Sequence, residues 1–306
     1  MAATTIRMAD MPAQRPQAPA DAATARARFF NSGNAFNLKL PPVPAAVFSP
    51  GRAGAGFTPC DQSVAMDLGS PATTPLMLAR YAVVAPGAAL RARWAASGAI
   101  WYVIRGAGEA AVGGERFAFG AGDVFLTPGG RDIEITGDAT LWLVTDEPLF
   151  ALAGAEPASE AVETVHYPAA EIAAQLQRVV EAAPDETTSG VALIFSSTAH
   201  EASRNILPTL TLSLNTVPPG ERQRPHRHNA AAITLILKGE GAYSLIGGQR
   251  QDWSPHATLV TPAGEPHSHH NPGAGRAQFL IVQDGGLHYR ARTMDFAFLE
   301  PADAAP

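Results

Sequence analysis

Two stretches of the sequence repeat each other, so whatever one of them folds into, the other must fold into as well. "IWYVIRGAGEAAVGGERFAFGAGDVFLTPGG" begins at Ile100, and "ITLILKGEGAYSLIGGQRQDWSPHATLVTPAGEP" begins at Ile233. Gly106 and Gly108 align with Gly239 and Gly241. After a one-residue slip, Gly114, Arg116, Pro128 and Gly130 align with Gly248, Arg250, Pro262 and Gly264. Within and around each copy, short runs rich in Val, Ile, Leu and aromatics return about every 8–12 residues, broken by Gly, Pro and Asp, which is the cadence of strands in an all-β barrel or sandwich. "LMLARYAVV" and "TLWLVTD" flank the first copy, and "LTLSLNTV" and "AQFLIVQD" flank the second. The paired glycines are expected in tight turns between strands. "GAGEAAVGG" is not a dinucleotide fingerprint, because no helical pattern follows it.

Between the copies lies one convincing helix, expected from Pro168 to Ala183. Proline suits a first helical turn, and Ile172, Leu176, Val179 and Val180 fall on one face. At 306 residues, 46% hydrophobic and 16% charged, the chain has material for two buried cores and no case for global disorder. A net charge of −6 with scattered arginines gives no basic footprint, so nucleic acid is not an expected partner. Cys60 is the single cysteine, which rules out an internal disulfide or a thiolate zinc site and suits a cytoplasmic location. The first residues lack the apolar core of a signal peptide, and no window approaches the ~18 apolar residues of a membrane span, so no membrane association is expected.

Histidines separate the two copies. None precedes His166, and six lie between 226 and 270. His226 and His228 form a His-x-His pair, and alternate residues on a strand share a face. Both imidazoles can therefore enter one barrel interior and meet a divalent metal. "PAGEPHSHHN" can supply a third ligand from another strand, with His267 and His269 again sharing a face. By the repeat offset, the first-copy counterparts of His226, His228 and His267 are Arg93, Ala95 and Ile133, so the first barrel lacks these ligands. The expected organisation is a mobile N-terminal arm over 1–30 and an N-terminal barrel over 31–160, its lead-in of 31–74 packing over that barrel. A helical linker follows over 161–206, then a metal-binding barrel over 207–306.

"PPGERQRPHRHNAAAITLILKGEG" followed by "TPAGEPHSHHN" resembles the two motifs of the cupin superfamily, through Gly220, His226, His228, Pro262, Gly264, His267 and Asn271. The resemblance covers about 210–285 and, through the degenerate copy, reaches back to about 75. It implies an all-β fold of two tandem cupin barrels (double-stranded β-helices, or jelly rolls) joined by a short helical linker. It also implies metal ligation by His226, His228 and His267, the last by motif spacing, with His269 beside them to fix a tautomer or relay a proton. The slot for a carboxylate ligand falls at Ala232 or Ile233, which leaves three histidines. Such a shell resembles the gentisate 1,2-dioxygenase group of bicupins, whose second motif also carries His-x-His-x-Asn, here His267, His269 and Asn271.

That resemblance implies Fe(II), a small-molecule substrate and O2 at open metal positions, and a homo-oligomer, dimer or tetramer. Zn, Mn or Ni would also suit three imidazoles. His269, Arg224 and Gln283 are the candidate catalytic residues: Gln283 sits on the last strand, and Arg224, with Arg222 and Arg227, flanks the site and could hold an anion. Two departures point away from gentisate itself. Thr234 stands where the group usually has Arg, and Ser268 stands where it usually has Asp. The expected activity is an Fe(II) dioxygenase acting on a hydroxylated aromatic acid or similar small anion. The alternatives are a non-redox metal-dependent isomerase, hydrolase or lyase, and a non-catalytic small-molecule-binding cupin.

Overall fold

The structure, a computed structural model, describes residues 6–36, 38–51, 54–158, 162–182 and 190–301. Met1–Pro42 form one compact unit and Val43–Pro306 a second. In the first, the helical turn Ala22–Ala25 starts at Asp21, whose carboxylate accepts the Thr24 amide at 2.7 Å and so satisfies a donor that every helix start leaves open. Gln14 and Phe29 form an antiparallel bridge, and the Asn34 amide donates to the Met11 carbonyl at 2.7 Å.

The second unit holds two β-barrels. The first is a sheet with strand order Gly56–Pro59, Leu78–Val84, Ile133–Thr145, Gly98–Val112, Val124–Pro128 and Val165–Tyr167, each neighbour antiparallel to the next. Ala89–Ala92 and Glu115–Gly120 pair at its flanks. Alternation explains the unbroken apolar run "AIWYVI". Ala99, Trp101 and Val103 point into the barrel, where Trp101 stacks on Phe125 at 5.5 Å. Ile100, with Tyr102 and Ile104 partly buried beside it, points the other way into a core shared with the second barrel. A strand buried on both faces has no polar side to show.

Gly106 and Gly108 lie inside the strand Gly98–Val112 rather than in a turn. Their role is close approach: at Gly106, with φ of 82°, a Cβ would stand 1.9 Å from the Asp138 carbonyl oxygen of the neighbouring strand. The second-copy counterpart Gly239 follows its strand, Ala232–Lys238, and answers the turn expectation. Repeat symmetry at the level of sequence thus serves two local geometries.

The second barrel has two facing sheets. One runs Val47–Phe48, Thr258–Thr261, Ala232–Lys238, Ala277–Gln283, Thr211–Val217 and Val191–Phe195; the other runs Gln249–Asp252, Tyr243–Ile246, His267–His270, His226–His228 and Phe296–Phe298. The first of these packs its outer face, through Leu212, Ile233, Leu235, Leu280 and Val282, against Tyr81, Ile100, Trp142 and Val144 of the first barrel. Its inner face is apolar at one end, with Val217, Ile236 and Phe279, and polar at the other, where Ser213, Asn215, Thr234 and Gln283 line a cavity.

A chain of three hydrogen bonds through Thr258 and Tyr81 links the barrels. Trp142 Nε1 donates to Thr258 Oγ1 at 2.9 Å, Thr258 Oγ1 lies 2.8 Å from the Tyr81 hydroxyl, and that hydroxyl lies 2.7 Å from the His256 carbonyl. The indole can only donate and the carbonyl can only accept, so the chain has one direction: Trp142 to Thr258 to Tyr81 to His256. The lead-in before the first barrel serves both barrels. Gly56–Pro59 extends the first sheet, whereas Val47–Phe48 pairs with Thr258–Leu259 of the second. The helix forms over Ala169–Glu181 and turns Ile172, Leu176 and Val180 onto the shared core; its expected last residue, Ala183, and the linker's first, Ala161, lie outside the described residues. No helix among the described residues is long and apolar enough to cross a membrane.

Candidate metal centre

His226, Arg227 and His228 form one short strand whose burial alternates buried, exposed, buried. Both imidazoles therefore point inward while the guanidinium between them points to solvent. His226 lies directly opposite His267 on the neighbouring strand, and His267 and His269 are both buried. One nitrogen from each of His226, His228 and His267 lies within 4.8 Å of the other two, the spacing a single ion would bridge. His269 is outside this trio, its ring centroid 6.0 Å from that of His267.

Hydrogen bonds fix which nitrogen of each ring is available. Nδ1 of His226 lies 2.8 Å from the Arg224 carbonyl, Nδ1 of His228 2.8 Å from the Ala230 carbonyl, and Nδ1 of His267 2.8 Å from the Glu265 carbonyl. A carbonyl only accepts, so each Nδ1 carries its proton and each Nε2 keeps a lone pair. Burial holds the rings neutral. It pulls His226 down to about 4 and His267 down to about 3, the latter aided by the neighbouring His226 and His228, and it lowers His228 as well. Three neutral imidazoles presenting Nε2 at one point form a donor set suited to a first-row divalent ion.

His269 is held the other way round. Its Nδ1 lies 2.8 Å from Ser244 Oγ, and the same oxygen accepts Trp253 Nε1–H at 2.8 Å. With one lone pair occupied by the indole, the serine hydroxyl has its proton left to give, and Nδ1 is the acceptor it faces. If it gives that proton to Nδ1, His269 carries its own on Nε2. Burial drives the pKa of this ring well below the ordinary range, so it stays neutral. A ring in this tautomer donates from Nε2 and cannot ligate there.

The cavity has a volume of about 180 Å³. Ser213, Asn215, Thr234, Thr261 and Gln283 form its polar wall, and Ile194, Ile281, Met294 and Phe296 its apolar one. No described lining residue is Asp, Glu, Lys or Arg. Gln283 reaches the trio itself, its Nε2 3.1 Å from Nε2 of His228. Arg224 does not line this cavity. Its guanidinium lies over the Phe298 ring, 3.1 Å from the centroid, and borders a neighbouring cavity with Arg222, so only its backbone carbonyl serves the histidines. Asn271 braces a loop, donating to the carbonyls of Val217, Pro218 and Gly275.

Sequence reasoning missed Ser244, Trp253 and Phe296, the last stacked on His226 at 5.1 Å. Ser244 had a signal, since it is a polar residue at an inward position of "AYSLI". Phe296 had none, because its contact comes from a late strand pairing beside His226–His228. In the first barrel, the counterpart positions hold a largely exposed Arg93 side chain and a buried Ile133, neither of them a metal ligand.

Residues 213–283, which carry the trio and most of the cavity wall, match the cupin domain family. The second barrel is thus similar to a cupin domain over that stretch. The chain resembles curated ring dioxygenases over short stretches. It is 29% identical over 115 residues to a gentisate 1,2-dioxygenase of Ralstonia sp., covering 37% of this chain and 32% of that protein. It is 31% identical over 94 residues to a 1-hydroxy-2-naphthoate 1,2-dioxygenase of Nocardioides sp. strain KP7, covering 30% of this chain and 24% of that one. The matched stretch thus spans about a third or less of the length of these relatives. The whole fold is similar to the salicylate 1,2-dioxygenase from Pseudaminobacter salicylatoxidans, with a TM-score of 0.64 at 15% identity over 75% of this chain and 77% of that one. A variant of that enzyme in complex with gentisate gives a TM-score of 0.69 at 15% identity over 85% and 88%. The likeness, at this identity, is one of fold alone.

Proposed function

We propose that this chain is a metal-dependent dioxygenase that opens a small hydroxylated ring, with His226, His228 and His267 holding one divalent ion, Fe(II). The observation that supports it most is the matched tautomers of those three rings, each with Nδ1–H on a backbone carbonyl and Nε2 turned to a common point. A ferrous ion held by neutral ligands would supply open positions for substrate and O2 and the redox capacity to join them. The chain's own groups then divide the remaining work. His269 offers Nε2–H to a substrate oxygen, Gln283 offers an amide beside His228, and Ile194, Met294 and Phe296 limit the water that reaches the ring. Resemblance to the ring dioxygenases supports the reaction class, and a homo-oligomer of dimer or tetramer size is proposed on the same ground.

The test is anaerobic reconstitution with Fe(II), followed by metal analysis and oxygen uptake on a panel of hydroxylated aromatics. Stoichiometric iron and substrate-dependent uptake are expected, both lost in His226→Ala/His228→Ala. A folded protein that takes up no metal would overturn the reading.

A further inference from the structure

We infer that this cavity selects an oxygen chelator, a diphenol or enol on a single ring, that bears no carboxylate. The inference rests on the reading of the site as a dioxygenase centre and names the substrate class for it.

The cavity lining holds no countercharge for a carboxylate. Three arginines flank the His-x-His pair in sequence, and the fold engages each of them elsewhere. Arg222 pairs with Glu300 at 2.7 Å, Arg224 lies over the Phe298 ring, and Arg227 alternates to the exposed face of its strand. The residues that line the cavity carry no fixed charge, with Ser213, Asn215, Thr234, Thr261 and Gln283 on the polar side. Hydroxyls and amides satisfy O–H and C=O groups well. A carboxylate brought in beyond the ion's reach would give up its hydration and find only such dipoles, which do not replace it. The relatives named above act on gentisate, 1-hydroxy-2-naphthoate and salicylate, all ring carboxylates. The cavity described here lacks the cation that would single out that group.

Size narrows the class further. About 180 Å³ is close to the ~150 Å³ of an apolar cavity that holds one benzene ring. One ring with two oxygens fits, and the isoleucines, Met294 and Phe296 give its carbon edge an apolar wall.

The test compares two chelators that differ only in the carboxylate, catechol and 2,3-dihydroxybenzoate. The whole chain is loaded with Co(II) under nitrogen, and each ligand is titrated by calorimetry and by the visible bands of the cobalt. Catechol is expected to bind at least about tenfold more tightly. Thr234→Arg, which places a guanidinium on the inner wall, should reverse the order. Tighter binding of 2,3-dihydroxybenzoate by the natural chain would overturn the inference while leaving the metal-centre reading standing. So would cobalt uptake with no response to either ligand. Failure to take up cobalt would overturn both. The comparison on the natural chain decides the matter even if the arginine variant does not fold.

Discussion

Histidine is ambiguous until its second nitrogen is accounted for, and here four buried rings are resolved by what sits behind them. Three face carbonyls two residues away along the chain, just beyond the ends of their strands. The fourth, His269, faces a hydroxyl already engaged by Trp253. Ser244→Ala should therefore leave metal content unchanged but lower turnover roughly 10–100-fold, as loss of a group that orients a site residue does. A variant with full turnover would show that the tautomer of His269 is immaterial. The inward His226 and His228 were legible from strand alternation, a property of any strand, whereas alternation put His267 and His269 on one face and only the resemblance to the family motif singled out His267. Arg224 was not legible. Whether a guanidinium turns toward a site or over a phenyl ring depends on Phe298, a residue far along the chain that folds back beside it.

At the scale of elements, the two barrels are joined by an apolar face with a thread of hydrogen bonds through it. Thr258 is its centre, accepting from Trp142 and donating to Tyr81. Thr258→Val keeps the shape but strands the Trp142 indole N–H and leaves the Tyr81 oxygen with only the bonds it donates to carbonyls. A loss of about 1–3 kcal/mol is expected in denaturant unfolding, the cost of an unsatisfied buried group. An unchanged midpoint would mean that water or a shift of the strand rescues both groups. Strand positions were legible wherever one face is polar or the apolar run is bounded by turn residues, and the helix over Ala169–Glu181 by its apolar face. The glycines inside Gly98–Val112 misled the turn reading, since a glycine that admits a neighbouring backbone and one that turns a corner look alike in sequence.

For the whole molecule, the buried imidazoles make stability depend on pH. In the metal-free protein His226 accepts a proton only near 4 and His267 only near 3, because burial opposes the charge. An unfolded imidazole accepts one near ~6.5. Between those limits the unfolded chain binds more protons, so the stability these groups contribute is complete above about pH 6.5 and is lost as pH falls toward 4 and below. Thermal unfolding of the metal-free protein across that range should show the decline, and a double His226→Gln/His267→Gln variant should flatten it. A natural chain whose melting temperature does not change from pH 7 to pH 4 would contradict the assignment.

The edge strand Val47–Phe48 belongs to a sheet whose other strands all lie beyond the first barrel in the chain. A ribosome adding ~5–20 residues each second must finish roughly 210 more residues after Val47 before its partner Leu259 exists. For some 10–40 s, on that pace, the segment has no partner, while the first barrel is already complete enough to fold. The second barrel cannot close its sheet as an independent product of its own half of the chain: it must reach back past its finished neighbour to recover a strand made long before.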